Sequence, residues 1–271
     1  MSVPRHTVVV VNDNDVSRRV PLAELDYTVV DVETTGFTPA DCGITEIGAV
    51  RVHGGQVVAE FSSLVNPGTP VPGNIEELTG IGDAMLAGAP AVAVVLPGLL
   101  AFAEGSVLTA HNARFDLGFL TAACAGAGLP WPSFAVIDTV QLARHLMVVP
   151  DEVPDCKLGT LAQFFGTLVQ PSHRALADAR SCAGVLTQLT ERLAGQGVST
   201  LDELSQWLAE QAAAQEAARA VEAARAGVRA AEAEAAAEAA IARSQAEAAE
   251  LARWPGWLRW LPGAGRRLSR S

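Results

Sequence analysis

The apolar positions fall into three textures along the chain: short β-branched runs, then apolar stretches of helical length, then alanine. Tyr27–Val32 is a β-branched run of strand length and predicts a buried strand. Ile44–Val52 and Val57–Val65 predict a second and a third strand. His53-Gly54-Gly55-Gln56 joins these two as a tight turn, so they pair antiparallel. Asn66–Gly73 is broken by prolines and glycines and reads as a loop, after which Ile75–Leu78 gives one helical turn. Ala91–Ala103 predicts an apolar helix interrupted by Pro97, Val107–Ala110 a short strand, and Phe115–Ala127 a helix ended by Gly126 and Gly128. Ala135–Ile137 is the fifth strand. Asp138 caps a helix over Thr139–Met147, and helices follow over Leu158–Phe165 and Ala175–Leu193. Three strands followed by alternating helices and strands predict an α/β fold. Its mixed five-stranded sheet, an antiparallel meander with parallel additions, is flanked by helices.

Beyond residue 195 the texture changes. Ser199 and Thr200 can cap a helix running from about Leu201 to Arg253, a long alanine-rich element of roughly 75 Å at 1.5 Å per residue. Val221 and Val228 stand seven residues apart, the spacing of a coiled-coil seam, so this helix can self-associate or dock a partner protein. Residues 254–271 hold Trp254, Trp257 and Trp260 among arginines, with no acidic residue. Such a tail suits a partner groove or membrane contact at the interface, and is too short to span a bilayer. The expected organisation is therefore a domain over 1–195, a helix over 196–253 and a tail over 254–271.

Charge and cysteine usage narrow the function classes. The formal net charge is −11 over 271 residues, which argues against a surface built for non-specific duplex binding. Bound cations would still supply positive charge locally. Cys42, Cys124, Cys156 and Cys182 stand singly with no C-x-x-C pair, so neither a zinc site nor a redox motif is expected. The first fifteen residues have no long apolar run, and a cytoplasmic chain with reduced thiols is the expectation.

Five residues carry the candidate chemistry. Asp31 and Glu33, two apart on a strand, point to the same face, where unscreened carboxylates repel unless a cation lies between them. Thr34-Thr35-Gly36 then turns the backbone and exposes amides to a phosphate or sugar. Asp116 follows His111-Asn112-Ala113-Arg114-Phe115 at a helix start. Asp178 follows His173-Arg174-Ala175-Leu176-Ala177, with the histidine on the loop before the last helix. Four carboxylates and one histidine suit two hard divalent cations and an activated water.

These segments, D-V-E-T-T-G, H-N-A-R-F-D and H-R-A-L-A-D, with gaps of about 80 and 60 residues, strongly resemble the DEDDh exonuclease superfamily. The likeness is greatest to the proofreading epsilon subunit of bacterial DNA polymerase III and its stand-alone homologues, and covers roughly residues 25–195. It implies a ribonuclease-H-like sheet and a 3′-to-5′ exonuclease that releases nucleoside 5′-monophosphates from single-stranded or 3′-terminal DNA. By the same resemblance Asp31, Glu33 and Asp178 hold a first Mg²⁺ or Mn²⁺, and Asp31 with Asp116 a second, so that two ions serve one site. His173 becomes the general base. Thr34, Thr35, Gly36, Phe37, Ile81, His111 and Asn112 become substrate contacts, with Leu78-Thr79-Gly80-Ile81 as a substrate loop. Two other readings stand beside it: an exoribonuclease of the oligoribonuclease or ribonuclease T type acting on RNA, and a non-catalytic interaction module.

Overall fold

Six strands form one sheet: β1 (Val9–Val10), β2 (Tyr27–Thr34), β3 (Ile44–His53), β4 (Gln56–Leu64), β5 (Val107–Ala110) and β6 (Val136–Asp138), in the spatial order β1-β6-β5-β2-β3-β4. The structure is a computed structural model and describes residues 9–10 and 16–253; the Trp-rich tail at 254–271 lies outside the described residues. The five expected strands are present, and β1 adds a sixth of two residues, pairing antiparallel with β6. The hairpin between β3 and β4 turns at Gly54 and Gly55, whose positive φ values of 55° and 74° suit glycine at a tight turn. β2 pairs antiparallel with β3 and parallel with β5, and β5 pairs parallel with β6. The sheet is thus mixed, with β2 in its interior.

Eight helices accompany the sheet among the described residues: α1 (Gly73–Thr79), α2 (Asp83–Leu86), α3 (Val92–Ala103), α4 (Ala113–Gly126), α5 (Thr139–Leu146), α6 (Leu158–Phe165), α7 (Ala175–Gly195) and α8 (Leu201–Ala252). Pro97 lies inside α3, which continues through it. Side chains alternate across β2. Tyr27 and Val29 join a core with Leu142 of α5, Leu161 of α6 and Leu186 of α7, whereas Val30 and Val32 join a core with Leu96 of α3 and Leu117 of α4. Asp31 and Glu33 continue the first series and so belong to the face that α7 covers.

The chain divides into a unit ending at Gln211 and a second beginning at Ala212. The first unit runs past the boundary expected at residue 195 because Val198, Leu201 and Leu204 are buried in the core that α7 builds. Residues 212–250 are exposed at every position, Val221, Val228 and Ile241 included, so alanine's helix propensity is the main local support of that stretch. No helix among the described residues is long and apolar enough to cross a membrane.

Candidate active site

Asp31, Glu33 and Asp178 each offer a ligand atom, and the three atoms lie within 4.8 Å of one another. Two come from β2 at the i, i+2 spacing; the third comes from the first turn of α7, which packs on that face of the sheet. Asp178 is buried, and one of its oxygens accepts from the Ser172 backbone N–H at 2.7 Å, which ties the loop ahead of α7 to the site.

Gly48 allows this convergence. It lies opposite Asp31 in the β2–β3 register. A Cβ there would collide with the backbone of Ala175 and Leu176, approaching the Ala175 carbonyl oxygen to 2.6 Å. Only a residue without Cβ lets the start of α7 rest on β3. Two residue pairs along, Glu46 faces Glu33 across the same strands. Like charges so placed are unfavourable, and Arg174 offsets them. Its guanidinium reaches both Glu46 oxygens, at 3.1 and 2.7 Å, while Glu46 also accepts the Ala175 N–H at 2.8 Å. Sequence reading gave Glu46 no role; the structure makes it the anchor of the His173–Arg174 loop. His173 itself is exposed, with φ of 56°, in the left-handed region that a histidine seldom adopts.

Asp116 reaches the site from the opposite side of the sheet. It is buried in the first turn of α4, and Oδ1 accepts the Val32 backbone N–H at 3.1 Å, so it is not among the three groups within 4.8 Å. Its charge still acts on Asp31. The start of α4 is held by Asp138, expected only to cap α5. Asp138 accepts Val140 and Gln141 N–H groups of α5, and also those of Asn112 and Ala113 at 3.2 and 3.1 Å. One buried carboxylate thus joins two helix starts. No local pattern shows the second half of that role.

The residues expected to touch substrate divide. Thr34 donates its hydroxyl to the Gly36 carbonyl at 2.6 Å, and the Thr35 hydroxyl accepts from Gly43 N–H at 3.0 Å, so both shape the turn. Gly36 has Cys42 Sγ 2.6 Å from where a Cβ would stand, so a side chain there would have to displace the Cys42 thiol. Phe37 is 79% exposed and Asn112 is exposed, with left-handed φ of 75°. Two expectations need correction. Ile81 is fully buried in a satellite core with Val71, Ile75 and Leu86, and presents no surface to a nucleotide. His111 has both ring nitrogens engaged, Nδ1 with the Thr139 hydroxyl at 2.9 Å and Nε2 with the Cys156 carbonyl at 3.1 Å. A carbonyl only accepts, so Nε2 carries the proton, while Nδ1 pairs with a Thr139 hydroxyl that also reaches the Ala110 carbonyl at 3.2 Å. Burial lowers the ring's pKa to about 4, which agrees with that neutral tautomer. His111 therefore has no free ring nitrogen for a substrate, although its half-buried ring lines a groove with Asn112 and Arg144.

The acids are held against their own repulsion. Burial raises Asp31 well above the usual carboxylate range, and the charges of Asp116, Asp178, Glu33 and Glu46 add to it. Glu33 is raised to about 7, by burial first and then by Asp178 and Glu46, with Arg174 opposing. Burial takes Asp116 to about 8 against the N–H groups that favour its anion. Such folded-state values lie above those of the unfolded chain, so the folded state holds more protons between pH 4.5 and 8. Stability without metal is accordingly fullest below the ordinary carboxylate range and falls as pH rises through these values. We expect the melting temperature in EDTA to drop by about 5 °C from pH 5 to pH 8, on the order of 2 kcal/mol after solvent screening of the half-buried Glu33. Added Mg²⁺ should narrow the difference; a melting temperature that rises over this range in EDTA would contradict the account.

The donor set fits hard divalent cations. It offers carboxylate oxygens alone, with no thiolate or imidazole among the three grouped ligands, which suits Mg²⁺ or Mn²⁺ and not a structural zinc. The sequence profile of the RNase_T family, described as exonuclease, matches residues 28–186, which span the site from β2 to α7. The chain belongs to this exonuclease family. Among the relatives of this exonuclease-family chain, a protein of Mycobacterium tuberculosis named as a bifunctional exonuclease/endonuclease is 46% identical over 207 residues, covering 74% of this chain and 32% of that protein. The PolC-type DNA polymerase III of Caldanaerobacter subterraneus subsp. tengcongensis is 38% identical over 188 residues, covering 69% of this chain and 13% of the polymerase. The chain thus spans a third or less of the length of these relatives. Exonuclease X, solved with 5′-overhanging duplex DNA, matches at 29% identity and a TM-score of 0.50 over 63% of this chain and 93% of that one. Escherichia coli exonuclease I, solved with a dT13 oligonucleotide, shares the fold with a TM-score of 0.56 at 15% identity over 64% of this chain and 42% of that one.

Proposed function

We propose that this exonuclease-family chain removes nucleotides one at a time from the 3′ end of single-stranded DNA, releasing nucleoside 5′-monophosphates. The observation that carries the reading is the trio Asp31, Glu33 and Asp178, three repelling carboxylates gathered within 4.8 Å on one face of the sheet. They would hold one divalent cation. Asp31, shared with Asp116 from the other side, would hold a second, since Asp116 is the carboxylate that acts most strongly on Asp31. The chemistry such a pair supplies when bound is acidification of water and neutralisation of charge on the scissile phosphate.

The rest falls to the chain's own side chains. His173, exposed on a loop that Glu46, Arg174 and Asp178 tie down, takes the proton from the attacking water. Phe37 stacks on the terminal base, a contact worth about 1–3 kcal/mol and indifferent to base identity. Polarity and sugar preference are tested together on matched DNA and RNA dodecamers labelled at the 5′ end, with Mg²⁺ or Mn²⁺. We expect a ladder of labelled products shortened from the 3′ end, with DNA cut faster. A labelled mononucleotide released at the outset would reverse the polarity, and faster loss of RNA would make the chain an exoribonuclease.

A further inference from the structure

Two grooves, each of about 850 Å³, meet at Asn112. One is lined by Phe37, Arg114, Trp131 and Phe134, the other by Arg144 and Lys157. The chain carries a net charge of −11, so an approaching polyanion is repelled by most of the surface. Six of the nine described cations of the first unit are already committed. Arg18 binds Asp202, Arg174 binds Glu46, Arg180 binds Glu60, Arg192 binds Glu152 and Lys157 binds Asp155, while Arg51 donates to the Glu104 carbonyl. Among the described residues neither Arg114 nor Arg144 has a carboxylate within ion-pair distance, and both are exposed. Arg19 has no such partner among them either but lines neither groove, so Arg114 and Arg144 are the unpaired arginines of the two grooves that share Asn112, which adjoins the turn that carries Asp116.

We propose that Arg114 and Arg144 form a two-point contact for the phosphodiester backbone of the single strand that leads to the site. The proposal rests on the exonuclease reading and adds the path of the strand to it. Arg114 shares its groove with the Trp131–Phe134 ring pair, centroids 5.5 Å apart, and with the exposed Phe37. Aromatic faces beside a cation are what an unpaired strand needs, since its bases can stack while its phosphates are neutralised. A duplex hides those faces, so the groove favours single-stranded ends.

The test is fluorescence anisotropy of a labelled dT12 at several salt concentrations with Mg²⁺, using the full chain carrying Asp31→Asn so that the strand stays intact. We expect Arg114→Gln and Arg144→Gln each to weaken binding about 5- to 10-fold and to reduce the slope of log affinity on log salt by about 0.7, the value of one phosphate contact on a single strand. The double variant should lose about twice that slope. Arg144→Lys should keep the slope, because the charge is kept. Arg19→Gln, an exposed arginine that lines neither groove, is the control. If both glutamine variants bind with the affinity and slope of the Arg19 control, the proposal is overturned. Failure of the exonuclease reading would show differently, as absence of nucleolysis by the chain with Asp31 intact.

Discussion

Asp31→Asn should lower kcat by at least about a thousandfold while the protein without metal melts at a higher temperature than its parent. Four neighbouring carboxylates press on Asp31: Asp116, Asp178, Glu33 and Glu46 all raise it. It is a member of the trio on which the charge of Asp116 also acts. Removing its charge takes a ligand from each proposed cation. About 4 kcal/mol of lost transition-state stabilisation corresponds to three orders of magnitude in rate. The same substitution relieves repulsion in the metal-free protein, so stability and activity move in opposite directions. Steady-state rates on single-stranded DNA and melting curves in EDTA check both halves. Retained activity would remove Asp31 from the chemistry, and a lower melting temperature would mean that its role is structural.

Gly48→Ala should be nearly as damaging, although Gly48 has no side chain to offer a substrate. The added methyl would meet backbone atoms of Ala175 and Leu176, which cannot rotate away as a side chain can. Either α7 is lifted from β3 or the strand buckles; both outcomes move Asp178 from Asp31 and Glu33. Overpacking of this kind costs about 1–3 kcal/mol and more where backbone must shift. A misplacement of about 1 Å at a catalytic centre is worth roughly a hundredfold in rate. We therefore expect a melting temperature lower by several degrees and a hundredfold loss of kcat. A variant with parental stability and activity would show that the close approach of α7 to β3 is not needed.

Much of the site was legible because its parts follow local rules. The i, i+2 pair Asp31 and Glu33 could be placed on one face from strand alternation alone, and the helices carrying Asp116 and Asp178 were expected from Phe115 and Ala175, where the structure starts them at Ala113 and Ala175. What the sequence hid depends on contacts between distant segments. Glu46 looked like an ordinary strand residue because its partner, Arg174, lies 128 positions away. Asp138 showed its cap on α5 through the residues beside it, and nothing nearby showed its hold on Asn112 and Ala113. Ile81 was assigned to substrate by its place in a loop pattern, yet an apolar side chain in a loop near Val71, Ile75 and Leu86 is drawn into a small core instead. His111 was misassigned for the same kind of reason, its two partners coming from residues 28 and 45 positions on. The two-residue strand β1 carries too little pattern to be seen before its partner β6 is known.

Calorimetric titration of Mn²⁺ into the full chain and into its Asp31→Asn variant bears most directly on the claim that separated acids form one pocket for paired ions. Two ions per parent chain, and at most one weakly held ion in the variant, is the predicted result. Equal binding by both chains, or none by the parent, would contradict it.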